Sequence, residues 1–78
     1  TQMNNARRAK LELLNDRIQN IVEELQEICD EEQGAHDGLP DSLQSSAKGE
    51  TMQNNVDCME EAIDLLNNAQ ETITNAKE

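Results

Sequence analysis

Few side chains in this 78-residue chain are of a kind that does chemistry. Cys29, Cys58 and the single histidine, His36, are its only soft nucleophiles or nitrogen ligands. His36 precedes Asp37, which is the spacing of an acid–base pair or of half a metal site. No second histidine is present to complete such a site, so the better reading is a solvated loop histidine. Cys29 and His36 lack the third group that would orient a nucleophilic pair. The run Asp30-Glu31-Glu32-Gln33-Gly34 is rich in carboxylates but lacks the alternating ligand order of an EF-hand loop. C-x-x-C, H-E-x-x-H and a Gly-rich phosphate loop are all missing from the sequence. The sequence therefore assigns no catalytic, cofactor-binding or metal-binding residue. The expected protein is not an enzyme and carries no cofactor.

The cysteines read as structural. Small secreted scaffolds carry more cysteines at tighter spacing. Both thiols here fall inside helical patterns, where free Cys behaves as a small apolar residue. A reducing, cytoplasmic setting is expected, and no run has the length of a membrane span or the pattern of a signal peptide. Met3 reads as the natural start, with Thr1-Gln2 ahead of it.

The elements around these residues are helical. Phe, Tyr and Trp are absent, and the apolar inventory is Leu, Ile, Val, Met, Ala and Cys. No period-two run of β-branched residues marks a strand. In the first half, Leu11, Leu14, Ile18, Ile21, Leu25 and Ile28 are spaced 3, 4, 3, 4, 3, an a/d heptad seam. Val22 and Cys29 lie beside this seam and widen it, while Leu13 lies off it. Asn4 or Asn5 can cap the helix. Gly34 offers a left-handed C-cap, so the helix is expected over about 4–33, a length of roughly 40 Å.

Residues 34–45 form the expected joint. Gly34, Gly38 and Pro40 interrupt the helical pattern. Pro40-Asp41-Ser42 reads as the first turn of a short helix, with proline at its first position. Leu39 and Leu43 are placed to plug the end of the hairpin. Ser45 or Ser46 then caps a second long helix over about 46–76, with Gly49 a weak point in its early turns. Its stripe is Met52, Val56, Met59, Ile63, Leu66 and Ile73, widened by Ala62, Leu65, Ala69 and Ala76. Gln70 stands where an apolar residue is expected and is predicted to bond across the seam.

The fold class is therefore all-α: one domain, residues 1–78, forming a long antiparallel helical hairpin with a short helical turn in the joint. Each stripe is wider than a two-stranded contact uses. A core this small usually needs oligomerisation, metal or disulfides to hold it. The expected assembly is a homodimer, a four-helix bundle in which the twelve seam residues serve as core and self-association surface.

Charge supports an antiparallel arrangement of that dimer. The chain has 6 basic and 17 acidic residues and a formal net charge of −11. Arg7, Arg8, Lys10 and Arg17 all lie near the start. From Glu23 to Asp64 there are 13 acids, opposed only by Lys48. Cations at a helix N-terminus and acids at its C-terminus oppose the macrodipole. Laying the basic end of one hairpin beside the acidic end of another relieves both. The balance excludes direct nucleic-acid or anionic-membrane binding, which needs a dominant basic surface. It admits a basic protein partner. The candidate acidic partner-binding end comprises Glu27, Asp30, Glu31, Glu32, Asp37 and Asp41, as in an inhibitor or nucleic-acid mimic.

The middle of the chain, from Asp30-Glu31-Glu32-Gln33 through Leu39-Pro40-Asp41-Ser42-Leu43-Gln44 to Lys48-Gly49-Glu50, resembles small acidic helical-hairpin proteins of bacteriophages and prophages. Those carry a D-E-E-Q segment, an L-P-E-S-L-Q joint and an S-x-R-G-E helix start. Asp41 stands here in place of Glu, and Ala47-Lys48 in place of Glu-Arg. The resemblance implies a bacterial host cytoplasm and raises the inhibitor alternative. It implies no catalytic or ligand-binding residue.

Overall fold

The structure, a computed structural model, describes residues 4–78. Thr1, Gln2 and Met3, with the reading of Met3 as the start, lie outside the described residues. Three helices follow in order: α1 (Asn5–Asp37), α2 (Asp41–Gln44) and α3 (Ala47–Ala76). There is no strand among the described residues. Cross-helix bonds join Arg8 to Lys77 at one end and Cys29 to Val56 nearer the other. α1 and α3 therefore run antiparallel, as a hairpin.

Both long helices begin as their cap residues dictate. The Asn4 side chain accepts from the Arg7 backbone N–H at 2.9 Å. The Ser46 hydroxyl accepts from the Gly49 N–H at 3.4 Å. Each satisfies a backbone donor that the first turn leaves without a partner.

The joint departs from expectation. α1 does not stop at Gln33; it runs through Gly34 for one further turn, to Asp37. No residue among those described has positive φ, so the left-handed cap foreseen at Gly34 does not form. The Gly38 N–H instead donates to the Gly34 carbonyl at 3.0 Å, and the Leu39 N–H to the His36 carbonyl at 3.1 Å. Pro40 is the actual stop. It disfavours helical backbone at the residue before it and has no N–H to continue the ladder. Pro40 takes the N-cap position of α2 rather than its first helical position. The Gln44 amide ties the joint down by donating to the carbonyls of Leu39 and Asp37. Leu39 is half-buried, while Leu43 remains exposed.

Gly49 decides how α3 meets this joint. A Cβ on Gly49 would collide with the Gln44 backbone carbonyl and come within 2.6 Å of the Leu43 carbonyl oxygen. The glycine thus permits the close approach of α2 to α3, and the residue is buried. Gly34, by contrast, has nothing within 4 Å of such a Cβ.

The hairpin is long and thin. Its extents are 60 × 17 × 11 Å and its radius of gyration is 17.8 Å, against about 11–12 Å for a compact domain of this length. Only Val22, Cys29, Val56 and Ile63 are buried apolar residues among those described, and Val56 alone is fully enclosed.

One substitution type should act with opposite sign at the two glycines. Gly34→Ala replaces a helical glycine with nothing in its way and should stabilise by about 0.5–1 kcal/mol. Gly49→Ala forces the α2 backbone away and should destabilise by about 1–3 kcal/mol, the usual cost of overpacking. Thermal unfolding followed by circular dichroism reads both. A gain at Gly49 would mean that the α2–α3 approach is not tight in solution.

Candidate functional site

Burial divides the apolar residues of α1 into two parallel stripes. The stripe facing α3 contains the half-buried Leu11, Ile18 and Leu25 and the buried Val22 and Cys29. The second contains Leu14, Ile21 and Ile28, which are 43%, 49% and 54% exposed. These three were expected in the seam with Leu11, Ile18 and Leu25. The structure brings Val22 and Cys29 into that place and turns Leu14, Ile21 and Ile28 outward. On α3, Val56 and Ile63 are buried. Met52, Met59, Leu66 and Ile73 are half-buried beside them, with Ala62 and Ala69 on their outer side.

The exposed stripe of α1 and the half-buried stripe of α3 lie on the same side of the hairpin. Helical geometry puts Leu14, Ile21 and Ile28 roughly 80° round α1 from the direction of α3. Because α3 runs the other way, its Met59–Leu66–Ile73 row and Ala62–Ala69 row are displaced to the matching side. Together they make one apolar face. Leu65, at 61% the most exposed large apolar residue among those described, stands at its α3 edge. Leu13 points away from it.

The opposite side is polar and latched. Lys77 Nζ lies 3.6 Å from Glu12 Oε1. The Asn15 amide donates to Thr74 Oγ1 at 3.2 Å and to the Gln70 carbonyl. The Gln70 amide donates to Gln19 Oε1 at 3.1 Å and to the Asn15 carbonyl. The cross-seam role foreseen for Gln70 is thus present, with Asn15 as its partner. Asn15 Oδ1 is buried without a partner. Sequence reasoning passed over Asn15, yet a signal was available. Arg8, Asn15, Val22, Cys29 and His36 recur every seven residues, as do Gly49, Val56, Ile63, Gln70 and Lys77. These two rows are the contact line of the hairpin.

The candidate acidic end is not a single cluster. Glu27, Asp30 and Glu31 are exposed on one arc of α1. Asp30 accepts from Gln26 and Asp37 from Gln33, each at 2.9 Å. Glu32 turns to the other helix and accepts from the Asn55 amide at 3.4 Å. Asp41 lies apart, in the first turn of α2. His36 Nδ1 approaches Asp37 Oδ1 at 3.3 Å. No group of three or more His, Cys, Asp or Glu among the described residues is placed to hold a metal. No helix among them is long and apolar enough to cross a membrane.

The cysteines are free and differ in setting: Cys29 is buried and Cys58 exposed. Burial pushes the Cys29 thiol above its ordinary range, and the carboxylates of Glu60 and Asp30 add to the shift. The neutral thiol also lies 3.9 Å from the Val56 carbonyl oxygen.

Scans against protein-family models, curated proteins and solved structures return no match to this chain.

Cys29 and Cys58 should react as two distinct thiols. Near pH 8, a disulfide reagent should modify Cys58 quickly and Cys29 only as fast as the hairpin opens. Denaturant should make the two rates equal. Equal rates in the native protein would show that the Val56–Cys29 contact is not maintained.

Proposed function

We infer that this chain is a non-enzymatic, self-associating helical interaction protein whose hairpins pair into a four-helix bundle. One observation carries the reading: an apolar face of the exposed Leu14, Ile21 and Ile28 beside the half-buried Met59, Leu66 and Ile73, on a hairpin with little core of its own. The chain exposes 5634 Å², roughly 900 Å² more than a compact monomer of its mass. A standard interface removes about 800 Å² from each partner. The excess and the need are of the same size. Pairing two hairpins through these faces gives each helix two neighbours, as bundle geometry requires. The resemblance to small acidic bacteriophage proteins adds the proposed setting, the cytoplasm of a bacterial host.

A second reading draws on the charge. Glu27, Asp30 and Glu31 present an exposed acidic arc, and the net charge is −11. On this reading the joint end occupies a basic site on a host or defence protein, as an inhibitor or nucleic-acid mimic. It predicts recovery of a specific basic partner from bacterial lysate at low salt, and loss of that partner when Asp30→Asn and Glu31→Gln are combined. Recovery of nothing but the protein itself would count against it.

Ile21→Asp separates self-association from a monomeric function. In an isolated hairpin this half-exposed position should tolerate the change within about 0.5 kcal/mol. In a bundle it buries a charge at the shared face and should abolish assembly. Because the assembled form stabilises the fold by mass action, helicity at micromolar concentration should fall with it. Sedimentation equilibrium and circular dichroism together give the answer. A parent protein that is a well-folded monomer at micromolar concentration overturns the reading.

A further inference from the structure

The apolar face is flanked on α1 by a row of charges with a definite order. Lys10, Arg17, Glu24 and Glu31 recur every seven residues along its outer edge, and all four are exposed. The matching edge of α3 carries Thr51, Cys58, Leu65 and Thr72, which bear no formal charge. Basic residues occupy the first half of the α1 row and acidic residues the second. The row therefore complements itself when reversed. The apolar row has the same property: Leu14 and Ile28 are equidistant from Ile21, which is the midpoint of α1 (Asn5–Asp37).

Resting on the self-association reading, we propose that the occupant of this face is a second copy lying antiparallel to the first, on a two-fold axis passing at the level of Ile21 and Leu66. About that axis Ile21 meets Ile21 of the other copy, and Leu14 meets Ile28. Lys10 meets Glu31 and Arg17 meets Glu24, each twice by symmetry. The hairpin fixes the level on α3. Bonds from Asn15 to Thr74, from Gln19 to Gln70 and from Cys29 to Val56 set Leu66 beside Ile21. The same axis then pairs Leu66 with its own copy and Met59 with Ile73, and brings the two exposed Leu65 side chains together. Met52 falls beyond the overlap.

Charge separates this arrangement from its alternative. In a parallel dimer the axis runs along the bundle, and the charged edge of α1 faces the uncharged edge of the other α3. No ion pair forms there, and both acidic joints gather at one end. In the antiparallel dimer every charge of the row meets its opposite, and the joints lie at opposite ends. Such complementarity fixes register and orientation more than it adds affinity.

The experiment has three arms. Sedimentation equilibrium of the unmodified protein tests the underlying reading; a monomer there removes both. Disulfide trapping in a Cys58→Ser background tests the geometry. Ile21→Cys alone should cross-link. Leu14→Cys and Ile28→Cys should cross-link to each other when mixed, with one partner isotope-labelled, and neither should cross-link alone. Charge exchange tests the pairing. The double variants Lys10→Glu with Arg17→Glu, and Glu24→Lys with Glu31→Lys, should each dimerise at least about tenfold more weakly than the parent at low salt. Mixed, they should form a heterodimer of about parental affinity. A dimer in which Leu14→Cys cross-links to itself, or in which the charge variants show no preference for each other, overturns the antiparallel register while leaving self-association standing.

Discussion

Two α-helices in contact can cover only a narrow line on each other, and this chain carries stripes wider than that line. Everything else in the structure follows from the mismatch. The hairpin encloses Val56 fully and, among the described apolar residues, buries only Val22, Cys29 and Ile63 beside it. A single core of that size supplies little net stability against the conformational entropy of ordering so long a chain. The remaining apolar rows are not dispersed over the surface. They lie on one side, while the other side holds the polar latches. Scattered exposed leucines need no explanation, but a contiguous apolar face does.

The polar latches show how the hairpin holds its register without a large core. At the open end, Arg8 Nε donates to the Lys77 carbonyl at 2.9 Å and Lys77 reaches Glu12. Two turns inward, Asn15 and Gln70 exchange amide bonds across the seam. At the joint, Gly49 lets the backbone of α2 pass close to α3. Amide pairs bond in one register only, and a glycine notch accepts a neighbouring backbone only where the two elements match. These contacts favour a single alignment over the sliding that a uniform apolar seam would permit.

The charges are arranged against the helix macrodipole, an opposition that the proposed antiparallel pairing would relieve. Cations near the start of α1 and acids near its end each oppose the local dipole by up to about 1 kcal/mol. A sequence selected for the stability of an isolated helix would reverse them. Opposition to the local field becomes complementarity once a second, reversed copy is considered. Each chain would keep its formal net charge of −11 in such a pair, and much of it sits toward the joints, which the proposed antiparallel arrangement would separate.

The sequence by itself determined the helical hairpin, narrowed each N-cap to two neighbouring residues, Asn4 or Asn5 and Ser45 or Ser46, and marked the cross-seam role of Gln70. All of these depend on a few neighbouring residues or on simple periodicity. Two features departed from the sequence reading, the first for a local reason and the second for a tertiary one. Gly34 reads locally as a helix end, yet α1 continues through it, because a glycine costs a helix about 1 kcal/mol while Pro40 removes the option altogether. The choice of seam is the larger case. α1 carries three rows with apolar residues, the third apolar only at Val22 and Cys29, and either adjacent pair of rows could have faced α3. Periodicity counts the rows without ranking them. The joint sets the side from which α3 returns, through the contact of Gly49 with α2, and that contact is between segments whose meeting no local pattern encodes. Val22 and Cys29 lie inside the hairpin and Leu14, Ile21 and Ile28 on its surface, so a row expected in the core is an exposed apolar row instead.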